Sequence, residues 1–404
     1  ASGGSHTGGL VALPGGDAVV ATGHFEDGDV LFPDDENSVP VQSEGGSDVG
    51  VVARVSASGA PVWLCTSEGA YPESVTATES GSIVVTGWFK GEAIFGCGGE
   101  NEAQVQCGFD QGCFYVERYT AGGEHEWVRY GDGRSAGSAV SRTTDDAVLV
   151  AGGHQDDLVL LEAGNEQATL STSTGDSGLF LARYEHDGEL AWARSERMFA
   201  PGPMPEAWSL EATFGGGAVL TSTLPGSVEL DTGDSEAIVL SNADHCDDSL
   251  IAAYEEDGEL AWFSRFEFFC NPTLHPGVRI GGASDGSLLG AGVGFNNTKF
   301  SHGQEGASEV ISSGTFVVFA FSLSPSGELE KLRRLSVSDA SPSDDPVLKG
   351  WPIPSDGYAR ALDGGAFLVA GRFRGEITFW ESSAAPQTIL SSGDDDIFLL
   401  RDFF

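Results

Sequence analysis

Along the whole chain, apolar runs of four to eight residues alternate with clusters of glycine, aspartate and serine. Runs of that length, rich in valine, leucine and phenylalanine and bounded by turn residues, predict β-strands. No stretch carries the sustained three-to-four spacing of an amphipathic helix, so the pattern predicts an all-β chain.

The runs repeat. One marker is an apolar strand ending in a small residue and glycine: Val19–Gly23, Ile83–Gly87, Val148–Gly152, Val219–Ser222, Leu288–Gly292 and Phe367–Gly371. A second is an apolar strand closing on Ala-Arg-Tyr or a relative: Val51–Val55, Phe114–Tyr119, Leu179–Tyr184, Leu250–Tyr254, Phe316–Ser322 and Ile397–Asp402. A third is a glycine turn followed by tryptophan, best seen where Asp187-Gly188-Glu189-Leu190-Ala191-Trp192 recurs as Asp257-Gly258-Glu259-Leu260-Ala261-Trp262. Trp63, Trp127, Trp192 and Trp262 share this position at spacings of 64, 65 and 70 residues, which marks them as packing between repeats. A fifth copy, Ser326-Gly327-Glu328, has Lys331 where the tryptophan would stand.

Each copy thus reads as four antiparallel strands, a to d. Tight turns such as Gly15-Gly16, Asp145-Asp146 and Asp285-Gly286 join a to b. The expected architecture is one β-propeller domain spanning 1–404, with six blade-like repeats of about 65 residues. The approximate repeats are 1–69, 70–134, 135–204, 205–273, 274–340 and 341–404. The markers resemble those of the bacterial β-propeller repeat family of secreted and surface proteins, with its VxTGxFxG strand, an aspartate before an apolar strand, and a DGxxxW close. Val84-Val85-Thr86-Gly87-Trp88-Phe89-Lys90-Gly91, Asp110 and Trp127 match best. Copy four departs at Ser222, and copy five lacks the tryptophan. The resemblance implies architecture and carries no catalytic motif.

Strand parity puts the a–b and c–d turns at one end of each repeat and the b–c and d–a connections, expected to be long, at the other. Function on a rigid scaffold favours variable loops. The candidate surface is therefore Phe32–Ser47, Phe95–Phe109, Glu162–Thr174, Leu230–His245, Phe300–Ser313 and Phe379–Gly393. All six cysteines fall at that end. Pairing Cys246–Cys270 is expected, with Cys97–Cys107 and Cys65–Cys113 preferred among the three connectivities the other four allow. Clustered disulfides imply an oxidising, extracellular or surface location.

Charge narrows the partners. With 61 acidic and 20 basic residues the formal net charge is -41, which disfavours nucleic acid and anionic membranes. No apolar run approaches the roughly 20 residues of a membrane span. Aspartate runs supply weak calcium candidates: Asp394, Asp395, Asp396, Asp247 and Asp248. However, an aspartate before strand c recurs at Asp48, Asp110, Asp176, Asp248 and Asp396, where a turn role holding backbone amides is the stronger expectation. No other cofactor is expected. Gly133-Arg134-Ser135-Ala136-Gly137 has the letters of a nucleophile elbow, but lies between strands d and a rather than at a strand-to-helix turn.

The chain begins at Ala1, as a trimmed or mature product would, and its sixth copy stops in strand c. A natural extension upstream of Ala1, or a three-stranded last blade, is expected. The favoured function is non-catalytic binding or assembly through the long-loop end, with protein partners, self-assembly or glycans as ligands. A carbohydrate-active enzyme and a calcium-dependent adhesion module are the alternatives.

Overall fold

The computed structural model describes the backbone over 5–13, 18–25, 29–31, 40–42, 49–97, 99, 101–173, 175–199, 204–224, 226–232, 237–241, 248–268, 277–282, 286–295, 298–303, 309–310, 316–338, 351–362, 366–374, 376–379, 387–390 and 396–403. Within those ranges, side chains are described over 8–13, 22–24, 49–292, 298–303 and 319–333. The described residues are all-β, without helix, in several antiparallel sheets. The chain forms two compact units, Ala1–Ala207 and Trp208–Phe404.

In the first unit, repeat one pairs Ser5–Ala12, Ala18–Phe25, Val49–Ser56 and Pro61–Glu68 in the order a-b-c-d. Repeat two follows with Ala70–Ala77, Ile83–Phe89, Cys113–Tyr119 and the first half of the long strand His125–Arg142. The second half of that strand is strand a of repeat three, whose other strands are the start of Val148–Glu162, then Ser177–Tyr184 and Leu190–Met198. The second unit repeats the order twice. Ala207–Ala212, Ala218–Leu224, Asp248–Tyr254 and Leu260–Glu267 form one set. Gly277–Gly282, Leu288–Phe295, Phe316–Leu323 and Leu329–Ser338 form the next. Trp351–Leu362, Ala366–Arg374 and Asp396–Phe403 pair as strands a, b and c of the sixth copy.

One turn recurs at both hairpin types. At Ser56, Thr78, Thr120, Glu185, Thr213, Glu255 and Ser324, the backbone N–H donates to the carbonyl four residues on, and that residue's carbonyl accepts from the N–H three residues on; Thr143 makes the first of these bonds, to Ala147 O. The fourth position has positive φ, as at Gly59, Gly123, Gly188 and Gly327 (84–88°), with Asp146 (φ 65°) as the exception to glycine. This is a type I turn with a left-handed bulge residue, and it explains the register shift at each c–d hairpin.

Two features differ from the four-stranded expectation. First, the b–c linker of every repeat carries a further hairpin, such as Glu92–Phe95 with Ala103–Gln106, or the end of Val148–Glu162 with Asn165–Leu170. These hairpins stitch repeats together: Tyr130–Asp132 of repeat two pair with Val159–Leu161 of repeat three, and Ser264–Glu267 of repeat four with Lys299–His302 of repeat five. Second, the d–a connections are not uniformly long. Gly69 alone separates strand d of repeat one from strand a of repeat two, and His125–Arg142 runs through the next junction unbroken. Gly69 and Gly133, with φ of 72° and 145°, absorb the change of direction that a loop would otherwise take.

The core lies between successive repeats. Ile83, Val85, Tyr115 and Tyr119 of repeat two pack with Val52 and Cys65 of repeat one. The alternate residues Val84, Phe114 and Val116 pack with Val148, Val150 and Phe180 of repeat three. Strands b and c are thus buried on both faces, which is why they read as continuous apolar runs. The repeat tryptophans close the same interface from the turn end. Trp63 Nε1 donates to Ala121 O (3.1 Å), Trp127 Nε1 to His186 O (3.1 Å) and Trp262 Nε1 to Pro325 O (2.9 Å), each in the c–d turn of the following repeat. Trp192 is half-buried at the equivalent position of repeat three.

Candidate binding cleft

The hairpin end of repeats one and two holds both described disulfides, Cys65–Cys97 and Cys107–Cys113, with Cα–Cα distances of 5.2 and 5.7 Å. The preferred pairings Cys97–Cys107 and Cys65–Cys113 are therefore replaced by the third connectivity. The reason is the extra hairpin. Its register sets Phe95 against Ala103 and Glu92 against Gln106, so Cys97 sits at the tip and Cys107 at the base. The tip reaches Cys65 in strand d of repeat one, and Cys107 closes on Cys113, six residues away. Cys246 and Cys270 lie outside the described residues.

The short disulfide loop faces two ways. At Gly112 (φ 100°) it packs so closely on Trp88 that a Cβ would come within 2.8 Å of the indole. Trp88 in turn stacks on Tyr71, with centroids 3.6 Å apart, donates to Glu73 Oε1 (3.0 Å) and sits under Lys90. On its other side the loop carries Phe109, 40% exposed, into an open cleft of about 310 Å³ lined also by Arg134, Gln155, Asp156, Asp157 and Thr172.

Strand geometry positions the cleft walls. Arg134 follows the Gly133 bulge and is half-buried; its Nη1 donates to Gln155 Oε1 at 2.5 Å. The N–H of the next residue, Ser135, donates to Gly112 O (3.1 Å), fixing the bulge to the disulfide loop. Asp156 interrupts its strand in the left-handed region, φ 58°, a conformation that non-glycine residues rarely adopt. It is held from four sides. Its carbonyl accepts from Thr172 Oγ1 (3.1 Å) and His154 Nδ1 (2.8 Å), its N–H donates to Asp176 O (3.2 Å), and its Oδ1 accepts from Gly175 N (2.8 Å).

His154 is fully buried behind Asp156, and burial lowers its pKa, which keeps the ring neutral at pH 7. With Nδ1–H donated to Asp156 O, Nε2 accepts from Ser195 Oγ (2.6 Å). The pair has the spacing of a serine–histidine dyad, but His154 is fully buried and its Nδ1–H is committed to Asp156 O, so the pair acts as a brace on Asp156. The Gly133–Gly137 segment is extended strand, and Ser135 Oγ donates to Gly133 O while accepting from Phe114 N. It is not a nucleophile elbow.

A second buried polar cluster lies beneath the Cys65–Cys97 bridge. Tyr119 Oη donates to Glu117 Oε2 (2.7 Å), and His125 Nε2 stands 4.0 Å from the same carboxyl. His125 Nδ1 is 2.9 Å from Asn101 O, and the Asn101 amide donates to His125 O. Burial pushes the Glu117 carboxyl up to about 8, so it is mostly protonated at neutral pH.

Two of the aspartates before strand c serve strand d. Asp176 pairs with Arg197 (2.7 Å), while buried Asp248 pairs with Arg265 and accepts from Phe268 N (2.9 Å). Both Asp248 oxygens are thereby engaged. Asp247, Asp394 and Asp395 lie outside the described residues, and Asp396 is described only as the start of its strand. Among the described residues no three His, Cys, Asp or Glu side chains gather as a metal site.

Sequence reading singled out the Phe95–Phe109 and Glu162–Thr174 segments that border this cleft, but not its polar walls. Arg134 was visible only inside the elbow-like letters. Asp156-Asp157 was unremarkable among 61 acids.

The chain matches no protein-family model and no curated protein. Among solved structures it is similar to a protein of unknown function from Bacteroides caccae, at 11% identity over 77% of this chain and 93% of that one, with a TM-score of 0.25.

Proposed function

We propose that this chain is a non-catalytic extracellular or envelope protein, a six-bladed β-propeller of bacterial type, that binds or assembles through the hairpin end of its repeats. One observation carries the reading: the two ends of a repeat are built differently. The same five-residue turn serves at one end in hairpin after hairpin. At the other end each repeat has its own hairpin, and both described disulfides clamp that end. Uniform turns suit inter-repeat packing, whereas individually shaped, rigidified loops suit recognition.

The a-b-c-d meanders and the turn-to-tryptophan contacts support the propeller, in which ring closure removes exposed strand edges. Two disulfides suit an oxidising compartment. No helix among the described residues is long and apolar enough to cross a membrane. The strong acidity favours partners other than nucleic acid.

Light scattering after size exclusion, on natively purified protein with and without chelator, tests this reading. A species larger than the 42.1 kDa chain, dispersed by substitutions at the hairpin end, is the expected result for an assembly subunit. Its collapse on chelation alone would favour calcium-bridged adhesion. A monomer that turns over a polysaccharide, with turnover lost in Asp157→Asn, would overturn the non-catalytic reading.

A further inference from the structure

We infer that the Phe109–Arg134–Asp157 cleft is a subsite for a neutral, hydroxyl-rich ring, that is, one sugar unit of an uncharged glycan. The inference rests on the proposed binding role of the hairpin end and names its ligand class.

In a chain with 61 carboxylates and 20 cationic side chains, an arginine finds an acid with little difficulty. Arg118, Arg129, Arg183, Arg197 and Arg265 all do so. Arg134 does not. Although it shares a cleft with Asp156 and Asp157, its guanidinium bonds only the Gln155 amide among the described residues. Asp157 is exposed and has no hydrogen bond or ion pair among them. The cleft therefore presents spare N–H donors and a spare carboxylate acceptor together, beside an exposed aromatic ring.

A sugar hydroxyl both donates and accepts, so vicinal hydroxyls can take a bond from Arg134 while giving one to Asp157. The apolar face of the ring supplies what Phe109 needs. An anionic ligand meets two carboxylates, and a cationic ligand meets the guanidinium, so each loses on one wall what it gains on the other. A cavity of about 310 Å³ is at the small end of ligand sites, in keeping with a single ring. The cleft is also set in advance. Cys107–Cys113 fixes the Phe109 loop, and His154, Thr172 and Gly175 hold Asp156. Such preorganisation lowers the entropy cost of binding.

The test is isothermal titration of the whole protein with cellobiose, maltose, lactose, xylobiose and mannobiose, alongside glucuronate and glucosamine as charged controls. At least one neutral saccharide is expected to bind in the millimolar range and more tightly than either control. Arg134→Ala and Asp157→Asn each weaken that binding about tenfold or more. Phe109→Ala weakens it less. Asp157 and Phe109 are exposed, so those two variants keep the melting temperature and separate loss of binding from loss of fold. A silent panel, or binding unchanged in both Arg134→Ala and Asp157→Asn, would overturn the assignment. A silent panel with an assembled species in light scattering sinks this inference alone. Arg134-dependent binding with turnover sinks the non-catalytic reading and keeps the cleft.

Discussion

Trp127 lies so close to Gly188, the turn glycine of the next repeat, that a Cβ on Gly188 would come within 2.9 Å of the indole. Gly123 stands in the same relation to Trp63, and Gly327 to Trp262. The glycine of the DGxxxW pattern is thus needed twice over: for its positive φ, and to let the preceding repeat's tryptophan sit on the turn.

Gly188→Ala combines left-handed strain with this overlap, and is expected to destabilise by about 2–4 kcal/mol. Trp127→Ala, which removes the ring and its bond to His186 O, is expected to cost about 3–5 kcal/mol. Chemical denaturation checks both. Gly164→Ala, also at positive φ but with open space around it, isolates the strain and should cost only about 1–2 kcal/mol.

The two disulfides are expected to differ in weight. Cys65–Cys97 spans 32 residues and joins two repeats, whereas Cys107–Cys113 spans six. Chain entropy then assigns roughly 4 kcal/mol to the first and roughly 2 kcal/mol to the second. Paired Cys→Ser variants followed by calorimetry would show the order. The Cys107→Ser/Cys113→Ser pair should nonetheless affect saccharide binding more, because its loop carries Phe109.

Glu117 makes stability fall with alkali. Its carboxyl is pushed up to about 8 by burial from its usual value of 4.5, so the folded state holds the proton longer than the unfolded chain. The associated stability is complete below pH 4.5 and is lost as pH rises to about 8, levelling off beyond. Glu117→Gln keeps an acceptor for Tyr119 without the charge. Its melting temperature should match the parent near pH 5 and exceed it by several degrees at pH 9. A constant difference across that range would refute the assignment.

His154 acts in the opposite direction. Its lowered pKa means the neutral ring belongs to the fold, so stability is lost as pH falls through the folded value. His154→Phe removes the brace on Asp156 and is expected to weaken saccharide binding several-fold at neutral pH while leaving the described sheet order intact by circular dichroism.

Much of this architecture was legible in the chain. Strands b and c are buried on both faces, so Ile83-Val84-Val85 and Phe114-Tyr115-Val116 stand out as unbroken apolar runs. The turns announce themselves through Gly123, Gly188 and Gly327. The additional hairpins did not, because strands such as Ala103-Gln104-Val105-Gln106 are four residues long and half polar. That omission also misdirected the cysteines, since only the hairpin register separates Cys97 from Cys107. The cleft was hidden for a different reason. Its walls come from the bulge at Gly133 and the left-handed Asp156, neither of which has a sequence period.

Oxidative footprinting of the native protein, free and then saccharide-bound or assembled, tests most directly the claim that function sits at the hairpin end. Phe109 in the disulfide loop and Phe214 in an a–b turn are both exposed, at 40% and 68%. The account predicts protection of Phe109 on binding or assembly, with Phe214 unchanged. Protection of Phe214 and its turn, with Phe109 still fully reactive, would contradict it.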